Sequence, residues 1–389
     1  MPRFTVPRDI YFGRECIERL STIRGKRAML ITAGGDMEQN GSLARVEAVL
    51  RRTGMDVRLL ESSWPEAAEQ AVAEGAAKMH AFAPDWIVAL GSAAISAGKL
   101  MWILFEYPEA VLSDLHRPFG LPELRRKARF AAISSFGGGA PEMTAFAELS
   151  GSLEQYAWAA MGYEIVPDIV FADPAMSTGV PPAKIAEAGM ETLACAADAF
   201  CAPESTPFTD AAAQKAAELT LRFLCGAQAG ESAAQEQLHY AQCLAGMAFS
   251  NAAAGLTHAL SRQCCGIFQT CRAQPGAVRG IFLPLVIRFH AADPAVCARY
   301  AALARALGLR GRGDAQAAQA LAEEVETLRT ALGLPGTLRE MGVAEEAFLR
   351  CRRTAAVRVA EDFCAKANPR NISADGLEAL LNAAFGESE

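Results

Sequence analysis

No uninterrupted apolar run in this chain reaches the roughly 18 residues that a membrane-spanning helix needs. The opening MPRFTVPRDI also lacks the apolar core of a secretory signal. The expectation is a cytoplasmic protein with no membrane partner. Positive charge is scarce as well: 37 Lys and Arg stand against 44 Asp and Glu, a formal net charge of −7. The one basic run, Arg125-Arg126-Lys127 with Arg129, is short enough to be a solvated loop before a strand. Nucleic acid, which normally requires a clustered basic face, is not expected as a partner. Nor is there a disulfide framework, because the 11 cysteines are an odd number spread over a long chain. Most of them (Cys16, Cys201, Cys225, Cys243, Cys297, Cys351 and Cys364) lie among alanines and leucines and read as reduced thiols serving as small core residues. Internal repeats and low-complexity linkers are absent too.

What is present is apolar material for a large interior: 51% of the 389 residues are hydrophobic and 21% are charged. A chain of this length divides into two domains by default. In its first half the pattern alternates. After strand-like pieces at Phe4 to Val6 and Ile10 to Phe12, Arg27 to Thr32 (RAMLIT) reads as a buried strand ended by Gly34-Gly35. A helix over Ser42 to Thr53 follows, with Ser42 as its cap and Leu43, Val46, Val49 and Leu50 on one face. Asp56 to Leu60 is a strand, Glu66 to Phe82 a helix, Asp85 to Leu90 (DWIVAL) a strand, Ile95 to Phe105 a helix and Arg129 to Ile133 a strand. This order predicts a parallel sheet with helices on both faces, which binds ligands at the carboxyl ends of its strands.

Those strand ends carry the glycines. Gly91-Ser92-Ala93 follows one strand and opens a helix, and small residues there let backbone amides approach a pyrophosphate. The loop Ser134-Ser135-Phe136-Gly137-Gly138-Gly139-Ala140 follows another strand in the same way. Glycines also end strands for purely structural reasons, but two such loops after strands of one sheet favour a nucleotide. Asp36, beside Gly34 and past the first of these strands, could take ribose hydroxyls or could be a turn residue. With Glu38 close by and no adjacent Lys or Arg, it leans towards NAD over NADP.

Beyond Pro181-Pro182 the strand pattern stops and helices succeed one another. They are read over Ala183 to Phe200, Asp210 to Cys225, Glu231 to Ser250 and on through Cys264, Leu283 to His290, and further segments to Ala384. On the first of these, Glu191 and Cys195 stand four residues apart and share one face. His258, on another helix, is a natural third partner for a reaction centre.

These motifs together resemble the iron-containing (group III) alcohol dehydrogenase family along nearly the whole chain. The resemblance rests on Phe4 to Gly13, on Pro167-Asp168, Asp173-Pro174 and Pro181-Pro182, on Gly189-Met190-Glu191-Thr192-Leu193, on Ala245 to Asn251 and on Asn368-Pro369-Arg370. It implies a dehydroquinate synthase-like fold, with an α/β dinucleotide-binding domain over 1–180 and an all-helical metal and substrate domain over 181–389. It also implies NAD(P)-dependent interconversion of an alcohol and an aldehyde or ketone, and a homo-oligomer, dimer or larger. The cofactor residues carried over are Gly91, Ser92 and Ala93 under the pyrophosphate, with Ser135, Phe136, Gly139 and Thr144 on the second loop. Ser96 stands where the family has an aspartate, and Lys99 is retained. A lysine usual after the second loop is missing from Gln155 to Met161.

The family's ion ligands, Asp and three His, correspond here to Glu191, Cys195, His258 and, across a gapped stretch, Arg272. A further family histidine near the nicotinamide is Arg262. Three readings follow. Glu191, Cys195 and His258, with Cys271 or else Cys264 or Cys265 closing a fourth side, could hold a divalent ion, zinc more readily than iron. Alternatively no ion is bound, and Arg262 and Arg272 clamp an anionic aldehyde while His258 handles the proton. In the third reading catalysis is lost and the fold is kept for binding or assembly.

Overall fold

The computed structural model of the protein describes residues 3–61, 68–112, 115, 119–137, 139–149, 158–253, 255–272 and 274–386. Its internal contacts divide it into two compact units, Thr5–Pro181 and Pro182–Glu389, the second also taking in the residues before Thr5.

The first unit carries β1 (Asp9–Phe12), β2 (Arg27–Thr32), β3 (Asp56–Glu61), β4 (Trp86–Leu90), β5 (Arg129–Ile133) and β8 (Ile169–Ala172) in one sheet, ordered β1-β8-β5-β4-β2-β3. Every pairing in it is parallel. All residues of β4 and β8 are buried, as a sheet covered on both faces requires, whereas β3 at one edge exposes Asp56, Arg58, Leu59 and Glu61. α1 (Asp36–Gln39), α2 (Ser42–Arg51), α3 (Ala68–Phe82) and α4 (Ser92–Glu106) are its helices. Leu43, Val46, Val49 and Leu50 are buried along α2, as their spacing requires. Ser42 does not cap that helix. It is the first helical residue, Gly41 at φ +77° holds the cap position, and the Ser42 amide donates to Asn40 Oδ1 at 2.9 Å. The antiparallel pair β6 (Phe146–Leu149) and β7 (Trp158–Met161) has no counterpart in the expectations.

Register is what builds the binding edge. Thr32 lies opposite Leu90, Leu90 opposite Ile133, and Ile133 opposite Phe171, so the loops leaving β2, β4 and β5 emerge side by side. The Gly91 amide donates to Ile133 O at 3.0 Å and the Ser134 amide to Phe171 O at 3.0 Å, which ties those loops together at their roots.

The second unit is helical: α5 (Pro182–Cys201), α6 (Pro207–Gln228), α7 (Ser232–Ala252), α8 (Leu256–Ile267), α9 (Gln269–Arg272), α10 (Pro275–His290), α11 (Pro294–Ala306), α12 (Asp314–Ala331), α13 (Glu345–Glu361), α14 (Phe363–Lys366) and α15 (Ala374–Phe385). The long helix expected from Glu231 through Cys264 is two, broken at Ala253, whose φ is +69°. α10 begins eight residues before the expected Leu283, because Pro275 at its first turn starts a helix. It runs on through Pro284, which has no N–H to give Gly280 O, and Arg329 Nη1 on α12 donates to that carbonyl at 3.2 Å instead. Among the described residues no helix is long and apolar enough to cross a membrane.

Candidate active site

In the α/β unit the turn from β4 into α4 forms a cradle. Gly91 takes φ +87°, a conformation that favours glycine, and among the described residues no side chain caps the first amides of α4. Ser92 Oγ is buried there with no hydrogen-bond partner among the described residues, while Ala93 is exposed. The loop after β5 lies against this helix start: a Cβ at Gly137 would fall 2.5 Å from Ser92 Oγ, and one at Gly91 would sit 3.4 Å from Ser135 Oγ. Uncapped amides at the positive end of a 15-residue helix, with an unanswered hydroxyl beside them, suit a phosphate anion. The residues therefore fit a dinucleotide pyrophosphate.

The other expected cofactor residues divide. Gly139 takes φ +62° on the same loop, Phe136 is buried, and Ser96 is half-buried on α4 just past Ser92. Thr144 is turned inward, its Oγ1 donating toward Pro141 O at 3.4 Å and Phe146 O at 3.3 Å. It shares those carbonyls with Lys99, whose buried Nζ donates to Pro141 O, Thr144 O and Phe146 O at 2.5, 2.6 and 2.9 Å. Burial pulls the Lys99 ammonium down to about 7, against the charge of Glu142. Lys99 thus holds the root of the second loop. Gly34 takes φ +70° and lies against Glu61, since a Cβ there would be 2.9 Å from Glu61 Oε1. Glu38 raises the Glu61 carboxyl above its usual range. Asp36 opens α1, and its side chain is outside the described residues.

In the helical unit, α5 brings Glu191, Cys195 and Asp198 inward, all buried. α10 approaches α5 through two glycines: a Cβ at Gly276 would fall 2.1 Å from Glu187 O, and one at Gly280 would meet Met190 at 3.1 Å. That approach sets Arg279, 4% exposed, against Glu191, with Nη1 ion-paired to Oε1. The other nitrogen, Nη2, lies 3.1 Å from His258 Nε2 on α8. A guanidinium only donates, so His258 Nε2 accepts and its proton sits on Nδ1. Asp198 fixes the start of α8: it accepts the Gly255 amide at 3.2 Å, Thr257 Oγ1 at 2.8 Å and the His258 amide. Burial pushes its carboxyl up to about 6, and those hydrogen bonds oppose the rise.

Family models match both units: one described as "Iron-containing alcohol dehydrogenase" over residues 7–174, and one described as "Fe-containing alcohol dehydrogenase family, C-terminal" over 185–385. The chain belongs to the iron-containing alcohol dehydrogenase family. It is 36% identical over 390 residues to the NADPH-dependent butanol dehydrogenase of Clostridium saccharobutylicum, covering 100% of this chain and 99% of that one. Among solved structures, 1,3-propanediol oxidoreductase superposes with a TM-score of 0.89 at 27% identity, covering 99% of this chain and 100% of the other. The iron-containing alcohol dehydrogenase of Thermococcus thioreducens matches with a TM-score of 0.89 at 28% identity, covering 98% and 99%. The parallel sheet and the helical second unit are those the resemblance implied.

The family's name implies an ion, and the residues here do not fit one. Among the described residues no three His, Cys, Asp or Glu side chains are grouped to hold a metal. Glu191 and His258, two of the expected ligands, are both engaged by the same guanidinium. Cys271 lies on the short α9, and the neighbouring Cys265 Sγ donates to the Cys271 carbonyl at 3.3 Å. Arg262 is committed elsewhere: Nη2 reaches Asp362 Oδ1 at 3.3 Å and Cys364 Sγ at 2.8 Å, and the guanidinium lies 4.8 Å from the Phe363 ring centre. Arg272, half-buried, ends α9. The arginine that meets Glu191 and His258 is instead Arg279, which the sequence reading passed over. Its signal was a lone cation within the apolar run GAVRGIFLPLV.

Proposed function

We propose that this chain interconverts an alcohol and an aldehyde or ketone by exchanging a hydride with a nicotinamide dinucleotide. The observation that carries this is the end-to-end likeness to NADPH-dependent butanol dehydrogenase, 36% identical over 390 residues. The uncapped start of α4 with Ser92 supports it. In the direction of reduction, hydride passes from the dihydronicotinamide to the carbonyl carbon, and the oxygen gains negative charge and then a proton. The α/β unit serves as the dinucleotide-binding domain, with Gly91, Ser92, Ser135 and Gly137 around the pyrophosphate. Within the helical unit, Arg279 beside His258 is the cation suited to a developing oxyanion. The carboxylates of Glu38 and Glu61 near Gly34 disfavour a 2′-phosphate, so NADH is preferred to NADPH. The substrate is a small molecule, and the protein works in the cytoplasm as a homo-oligomer.

The test is oxidation of NADH and of NADPH by the purified protein with short neutral aldehydes and with aldehydes bearing a carboxylate or sulfonate. Turnover that is faster with NADH is expected. Tight NADH binding without turnover on either aldehyde class would refute catalysis. That outcome would favour a binding role, the second reading, which the closure of Arg279 onto Glu191 and His258 also supports.

A further inference from the structure

We infer that the Arg279 guanidinium is the resident cation of the helical centre and stands in place of a divalent ion. Four observations converge on it. Glu191 and His258 are the two donors best placed to ligate an ion, and one side chain satisfies both. That side chain is 4% exposed, so its charge is neutralised by design of the packing and not by solvent. α10 packs against α5 at Gly276, where a Cβ would fall 2.1 Å from Glu187 O, and this close approach brings the cation to Glu191. The imidazole presents Nε2, the lone pair a metal would take, to a hydrogen-bond donor.

The consequence deepens the oxidoreductase reading and, for its catalytic arm, rests on it. A carbonyl polarised from this centre is polarised by N–H donors on a fixed positive charge, not by a Lewis acid. No proton or electron is consumed in setting that charge, because arginine keeps it throughout the working pH range. Such a centre needs no metal loading.

Protein produced with iron and zinc supplied, then analysed for metals, should carry far less than one equivalent, and a strong chelator should leave both turnover and melting temperature unchanged. Stoichiometric iron or zinc, or activity lost to the chelator, would overturn the inference while leaving the oxidoreductase reading intact. A metal-free, chelator-indifferent protein that never turns over would do the reverse. Removing the cation gives the complementary measurement. Arg279→Ala should lower kcat by roughly 100-fold, the usual cost of losing one oxyanion donor. It should also open Glu191 and His258 to zinc, seen as a melting temperature that rises with added zinc in the variant and not in the native chain. A native chain that zinc stabilises as much as the variant would contradict the inference. If the variant fails to fold, the metal content and chelator response of the native protein still decide.

Discussion

The start of α4 and the α5–α8–α10 centre are both polar sites built at helices, and they are finished differently. Among the described residues, the first amides of α4 have no side-chain cap and Ser92 Oγ has no hydrogen-bond partner, so the site has donors to give. At Glu191 the carboxylate, the imidazole and the guanidinium answer one another. One site has donors to offer an anion, and the other carries its own cation in place of an added ion. In a family named for its iron, the proposed dinucleotide site keeps an uncapped helix start, and the helical centre has internalised a positive charge.

The largest effect that could break this comparison lies at the closed centre. Arg279→Met leaves Glu191 buried without its cation and should cost about 3–5 kcal/mol in denaturant unfolding. Adding Glu191→Met should recover most of that loss, because an apolar pair of similar volume removes both charges. A double variant as unstable as the single one would show that Glu191 and Arg279 do not compensate each other. Next comes Lys99→Met, which removes a donor from three carbonyls and should cost about 2 kcal/mol near pH 7. Here pH gives a second check. The Lys99 pKa falls from 10.5 to about 7 on folding, so between those values the unfolded chain binds more protons and the native contribution rises with pH. The gap between native and variant stability should therefore widen from pH 7 towards pH 10, and a constant gap would argue against a buried, depressed ammonium. The smallest effect belongs to the open site. Gly137→Ala would press a methyl to 2.5 Å from Ser92 Oγ and 2.9 Å from its Cβ. NADH binding measured by fluorescence should weaken about tenfold, near 1.4 kcal/mol, with the melting temperature almost unchanged. Unaltered affinity would remove that loop from the cradle.

Much of the α/β unit could be read in advance because its signals are local. Runs such as RAMLIT and DWIVAL are long enough to mark buried strands, and glycines after them mark the turns. The helical centre was half legible. The spacing of Glu191 and the helical setting of His258 were visible, but their shared partner was hidden. Pro275, Gly276, Gly280 and Pro284 look like helix breakers over the stretch that became α10, so Arg279 had no helix to stand on. Each of those residues has a tertiary purpose: a first-turn proline, two points of close helix approach and a proline whose orphaned carbonyl is answered by another helix. Thr144 is carried over from the family's loop motif, and its hydroxyl turns toward Pro141 O and Phe146 O, the carbonyls that the buried Lys99 also meets.

The bond from Arg329 to Gly280 O makes α12 a splint for the proline-interrupted turn of α10, one residue from Arg279. Loss of that splint would be felt as a blurred placement of the neighbouring side chain and not as missing chemistry. Position 329 thereby braces, from another helix, the turn that carries Arg279.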